Sequence, residues 1–209
     1  EKYGVPKEKI EVVYNAVDDF IAPPGRERET DRPTISFVGR ITLQKGPDYF
    51  LEAAKKVLEH EPSALFVMEG DGDMYHKIIE KAAYLGIADN VLFPGFVRGD
   101  DLARVYRSTD LFVMPSVSEP FGLTAIEAMQ YGVPILVSKQ TGAGESLSHC
   151  LKVDFWDVDE MAAKMLAAVK YRELRQCLSE FGSQEISKFS WDKSAGQCLG
   201  VYNNLVNYA

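Results

Sequence analysis

The sequence predicts an α/β domain, a doubly wound parallel sheet of about six strands with helices on both faces. Three observations carry the prediction. From residue 34 onward, short apolar runs recur without polar alternation, the pattern of strands buried on both sides. Amphipathic stretches of helical length separate them, so successive strands are joined by crossovers and not by hairpins. The chain has 209 residues, 46% of them hydrophobic, enough for one sizeable core.

Taken in order, residues 10–14 (Ile-Glu-Val-Val-Tyr) read as a short strand ending in Asn15-Ala16-Val17-Asp18. Residues 20–33 hold three prolines, a glycine and six charged residues with little to bury, so they read as a solvated connection or hinge. The sheet then begins with a strand at 34–38. The helix expected at 47–60 places Phe50, Leu51, Ala54, Val57 and Leu58 on one face. Strands at 64–68 and 91–93 flank a helix at 74–85. A short helix at 102–106 leads to a strand at 111–114, and a helix at 123–131 leads to a strand at 135–137. Residues 151–155 supply a sixth strand, and helices are expected at 158–171, 173–188 and 191–207. The whole is a Rossmann-like arrangement.

Composition excludes several function classes. A formal net charge of −8 and a pI near 5.0 argue against a basic face for nucleic acid or an anionic membrane, although a basic pocket within an acidic surface stays open. Cys150, Cys177 and Cys198 are scattered without metal-ligand spacing, which suits a reducing cytoplasm. No apolar run reaches the length of a membrane span, and no signal peptide is visible.

The richest stretch for chemistry is Ser116 to Met129, followed by Gly132-Val133-Pro134. A strand runs into a Pro/Ser turn and then into a helix opening near Gly122. Glu119 and Glu127 are thereby fixed at the lip of the sheet, where open α/β sheets bind ligands. The free N–H groups of Phe121 to Thr124 can take an anion, aided by the helix dipole. The two glutamates, seven residues between them, cannot both serve that anion; carboxylates accept hydrogen bonds from hydroxyls instead. Phosphate flanked by polyol describes a nucleotide-sugar. The plainer alternative is an acidic helix start favoured by the dipole alone. A second loop, Val38 to Gly46, carries two glycines with Arg40 and Lys45 and opens a helix, which is a phosphate site by its own logic unless the cations only solvate the loop. Ser116 and Ser118 have no nearby His to activate them and read as turn and cap residues.

The Glu119-x7-Glu127 spacing, the Glu-Pro-Phe-Gly-Leu core and the Glu-Ala-Met-x-x-Gly-Val-Pro continuation together resemble the signature of retaining family 4 (group 1) glycosyltransferases. Those enzymes have the GT-B fold, two Rossmann-like domains with a cleft between them. The resemblance implies that Glu119 contacts donor-sugar hydroxyls, that the N–H groups of Phe121, Gly122 and Leu123 meet the diphosphate, and that Glu127 holds the ribose. Gly39-Arg40-x4-Lys45-Gly46 matches the family's Gly-Arg-x-x-x-x-Lys-Gly, which implies that Arg40 and Lys45 pair with the diphosphate beside Gly39. Fixed cations would stabilise the departing charge and stand in for a metal. Pro94-Gly95-Phe96-Val97 matches the loop bordering the base, making Phe96 and Val97 base neighbours. Asp71-Gly72-Asp73 looks like the metal-binding Asp-x-Asp of the other large glycosyltransferase fold, yet it closes a strand and opens a helix, where acidic caps and glycine turns are expected. No metal site is therefore expected.

The same resemblance divides the chain. Residues 1–33 match the end of an N-terminal domain and its linker, 34–190 the nucleotide-sugar-binding domain, and 191–209 a helix crossing back to the first domain. Leu199, Val201, Tyr202, Leu205, Val206 and Tyr208 would then lack a partner here, unless they pack on their own domain. Thr141 to Ser146 is the weakest match, because the family's later glycine is absent from Leu147 to Asp154. The implied activity is hexosyl transfer with retention from a UDP- or GDP-sugar to an acceptor hydroxyl, needing no further cofactor. The acceptor, a glycan or lipid-linked sugar, would be held mainly by the N-terminal domain, and these residues alone would transfer sugar poorly or not at all. No nucleic-acid partner and no integral membrane segment are expected. The expected location is cytoplasmic, with any contact at the inner membrane face made through the full-length protein. The alternative is a non-catalytic nucleotide-sugar-binding or interaction module of the same fold.

Overall fold

A computed structural model of the chain describes residues 4–18 and 31–207. Its six strands are β1 (Thr34–Val38), β2 (Leu65–Glu69), β3 (Val91–Gly95), β4 (Leu111–Met114), β5 (Ile135–Ser138) and β6 (Leu151–Val153). They pair in parallel in the order β3-β2-β1-β4-β5-β6. The helices are α1 (Pro47–Leu58), α2 (Tyr75–Tyr84), α3 (Asp100–Ser108), α4 (Leu123–Gln130), α5 (Gly142–Ser146), α6 (Val158–Lys170), α7 (Arg172–Glu185) and α8 (Trp191–Asn207).

Strand alternation feeds two cores. Phe37, Phe66, Met68, Leu111 and Val113 face α1, α2 and α6, where Phe50, Leu51, Ile78, Met161 and Met165 are buried. Phe112, Met114, Ile135 and Val137 face α3, α4 and α5, against Tyr106, Ile126, Met129 and Ala143. The central strands β1, β2, β4 and β5 are buried along their whole length, which explains their nearly unbroken apolar runs. The winding order of the sheet reverses between β1 and β4, although the two strands run parallel. That switch point opens a crevice at the carboxyl ends of the two strands, where the loops after Val38 and Met114 meet.

Four local expectations are corrected. Residues 10–14 form no strand: among the described residues no neighbour offers a ladder, and Ile10 and Val12 lie 53% and 59% exposed. The Tyr14 carbonyl accepts from the Ser194 hydroxyl at 2.8 Å, and just beyond the segment Val17 forms an isolated parallel bridge with Ser190. Helix α5 was not expected from a stretch with two glycines. The short helix at 102–106 extends to both sides, and β3 runs on through Pro94, tolerated because β3 is an edge strand. Most of the expected hinge and Tyr208 lie outside the described residues. On α8, Leu199, Tyr202, Leu205 and Val206 stay exposed, so they do not pack on this domain. Among the described residues no helix is long and apolar enough to cross a membrane.

Candidate functional site

Two glycine contacts shape the site before any charged group enters it. Gly46, in the left-handed region at φ 69°, lies so close to the next loop that a Cβ would meet the Pro115 carbonyl oxygen at 2.1 Å. On the other side a Cβ on Gly142 would stand 2.0 Å from the carbonyl oxygen of Pro120. The loop carrying Glu119 is thus gripped from both flanks. Backbone bonds complete the grip: Val117 N–H donates to Gln44 O at 2.9 Å, Gly142 N–H to Glu119 O at 2.9 Å, and Ala143 N–H to Phe121 O at 2.7 Å.

The result is a cleft of about 610 Å³ at the switch point, lined by Gly39, Arg40, Lys45, Glu69, Phe96, Val97, Glu119 and Thr124 among others. Lys45 Nζ donates to Glu119 Oε2 at 2.5 Å, and their side chains are only 13% and 12% exposed. Arg40 is exposed at the rim and bonds Gln44 Oε1 at 3.4 Å, while Gln44 Nε2 donates to Ser118 O at 2.8 Å. One wall thus carries Arg40 beside the paired Lys45 and Glu119. The other is apolar, with Phe96, Val97 and Leu102, and the Arg98 guanidinium lies 4.7 Å from the centre of the Phe96 ring.

The remaining expected residues fall around this cleft in different ways. Phe121 is buried, its ring against Tyr14 and Phe189, and its N–H points at its neighbour's carboxylate, Glu119 Oε1, at 3.4 Å. Gly122 and Leu123 stand at the open first turn of α4, where the helix itself supplies no acceptor for their N–H groups. Glu127 and Leu123 open onto an adjoining cavity of about 430 Å³, which shares Leu102 with the main cleft. Glu127 Oε2 accepts from the Tyr106 hydroxyl at 3.0 Å. Burial and the Glu127 charge push the Tyr106 phenol well above its ordinary pKa, so it remains a donor. Asp71 lines the cleft but spends Oδ1 on the Gly72 N–H at 2.7 Å. Among the described residues no group of three or more His, Cys, Asp or Glu is arranged to hold a metal ion. A further apolar cavity of about 470 Å³ lies beneath α3 on the far side of Val97; its charged residues are Asp101 and Arg104, an exposed pair.

Sequence reasoning missed Gln44, Tyr106 and Glu69. Glu69 ends β2, is 2% exposed, and accepts the Val97 N–H at 2.9 Å through Oε1. Burial raises its pKa and the nearby Glu127 charge adds to the rise, while the N–H groups of Val97 and Gly39 oppose it. A carboxylate closing an otherwise apolar strand is the signal that could have found it.

The family described as Glycosyl transferases group 1 matches residues 18–185. An uncharacterised glycosyltransferase of Methanocaldococcus jannaschii is 33% identical over 217 residues, which cover 96% of this chain and 55% of its own. The chain thus spans about half the length of the curated relatives it matches. The solved C-terminal domain of a glycosyl transferase group 1 family protein from Francisella tularensis superimposes with a TM-score of 0.72 at 24% identity, over 80% of this chain and 95% of that one. An Anabaena protein solved in complex with UDP and glucose has the same fold, with a TM-score of 0.72 at 19% identity over 85% of this chain and 49% of its own. With a family match over most of its length and a relative of this similarity, the chain belongs to the glycosyl transferases group 1 family.

Proposed function

We propose that the cleft is the donor site of a retaining hexosyltransferase that uses a nucleoside diphosphate sugar. The observation that carries this reading is the largely buried Lys45–Glu119 pair, with Arg40 exposed beside it at the switch point. Arg40 and Lys45 would take the diphosphate, with the N–H groups of Gly122 and Leu123 completing its cradle. As the bond to the sugar breaks, negative charge grows on the leaving oxygen, and two fixed cations lower the barrier without a metal. Phosphate oxygens compete for Lys45, which frees Glu119 to accept from sugar hydroxyls. Glu127, polarised by Tyr106, accepts from ribose, and Phe96 and Val97 flank the base. The Anabaena neighbour solved with UDP and glucose supports a nucleotide-sugar of this kind.

No protein nucleophile is assigned, so retention would follow a front-face path in which the diphosphate oxygen helps to deprotonate the acceptor. The acceptor, a glycan or lipid-linked sugar, belongs to a preceding domain of which residues 1–33 are the end and linker. Residues 34–190 form the donor domain, and 191–209 return to the first. The exposed Leu199, Tyr202, Leu205 and Val206 support that return. The test is calorimetric titration of the chain with UDP, GDP and their hexose conjugates, with and without EDTA, repeated on Arg40→Ala. Binding that survives EDTA and weakens at least about tenfold in the variant is expected. Binding abolished by EDTA, or untouched by Arg40→Ala, would sink the metal-free cationic site.

A further inference from the structure

We propose that Glu69 is a positioning residue for donor-base recognition, fixing the orientation of the Phe96–Val97 peptide beside the base through its hold on the Val97 N–H. The inference deepens the donor-site reading and rests on it. Glu69 is a carboxylate at the end of a buried strand, and it reaches across to the exit of β3, where its Oε1 takes the Val97 N–H at 2.9 Å. In a trans peptide the N–H and C=O point in opposite directions, and no described peptide bond is cis. Tying the Val97 N–H to Glu69 therefore turns the Phe96 oxygen away from Glu69. No donor among the described residues occupies that oxygen, and Phe96 is 61% exposed at the mouth of the cleft.

Two features hold the arrangement in place. Gly70 N–H donates to Gly95 O at 2.9 Å, which joins the exits of β2 and β3 just before the loop. The Arg98 guanidinium covers the Phe96 ring at 4.7 Å, which steadies the loop from its other side. The cleft also has the right polarity for such a reader. Arg40 and Lys45 are the cleft's cations and suit the diphosphate, which leaves the Phe96, Val97 and Leu102 surface, backed by Glu69, for the base. The raised pKa of Glu69 agrees with a buried carboxylate retained for its hydrogen bond and not for a salt bridge.

The experiment compares calorimetric binding of UDP, GDP and inorganic pyrophosphate, which has no base, across wild type, Glu69→Gln, Glu69→Asp and Glu69→Leu. Glutamine keeps an acceptor at the same reach. Aspartate keeps the charge but falls a methylene short, and leucine removes the acceptor. The expected result is that the Asp and Leu variants lose about tenfold or more in affinity for the preferred nucleotide. Glutamine should stay within about twofold of wild type, and pyrophosphate binding should be equal in all four. If the Leu variant does not fold, the contrast between Gln and Asp decides. Equal nucleotide affinity in Asp and wild type, or a parallel fall in pyrophosphate affinity, would overturn the role of Glu69 and leave the donor site standing. Wild type binding none of the three ligands would overturn the donor site, and the Glu69 proposal with it.

Discussion

Glu185, at the end of α7, gives the most quantitative prediction. It is 6% exposed and accepts from Ser148 N–H at 2.9 Å, His149 N–H at 3.0 Å and Lys188 Nζ at 2.7 Å. Burial alone would raise its pKa; the Lys188 ammonium and the two N–H groups outweigh this and hold it down from 4.5 to about 2. That gap corresponds to about 3 kcal/mol of folding stability at 1.36 kcal/mol per pH unit. Because the folded pKa is depressed, the contribution is complete above the unfolded value of 4.5 and is lost as pH falls toward about 2. Glu185→Gln removes the charge and keeps the shape. Urea unfolding should place the variant about 3 kcal/mol below wild type at pH 7, with the difference shrinking to about half by pH 3.5. A difference that stays constant over that range, or is below about 1 kcal/mol at pH 7, would refute the reasoning. The consequence reaches the cleft, since the loop held by Glu185 follows α5, and α5 grips the Glu119 loop through Gly142 and Ala143.

Other outcomes follow from the same geometry. Lys45→Met leaves the Glu119 carboxylate nearly buried without its cation, so unfolding experiments should show a loss on the order of 3 kcal/mol. Lys45→Met combined with Glu119→Leu should recover most of that stability while donor binding by calorimetry stays absent; recovery of binding would remove both residues from the donor site. Gly142→Ala puts a methyl 2.0 Å from Pro120 O, so the Glu119 loop must shift. A fall in stability of about 2 kcal/mol or more is expected in thermal unfolding, together with weaker nucleotide-sugar binding; an unchanged melting temperature would show that the loop yields freely.

Much of the architecture was legible because burial on both faces of a parallel sheet leaves a direct mark on composition. Thr34–Val38, Leu65–Glu69 and Leu111–Met114 are apolar nearly throughout, and strands with that pattern need helices above and below. The loops at 38–46 and 116–123 were legible for a related reason, since glycines and charges at strand exits serve little purpose in packing. Residues 10–14 misled because an apolar alternating run becomes a strand only where a neighbour completes its hydrogen bonds. Helix α5 was invisible because its glycines oppose helix formation; contact with Pro120 and Phe121 holds it in place.

The sequence by itself determined most of the strand and helix content, the burial of the central strands, and the presence of Arg40, Lys45 and Glu119 on loops at strand exits. Only the tertiary structure decided which of them touch. Lys45 meets Glu119 across 74 residues of chain because strand order places β1 beside β4. Glu69 meets Val97 because β2 lies beside β3, and Tyr106 meets Glu127 because α3 and α4 lie over the same face of the sheet. Such pairings depend on the register of packed elements, which local composition does not encode; once buried, each polar group must find its partner or bear the full cost of desolvation.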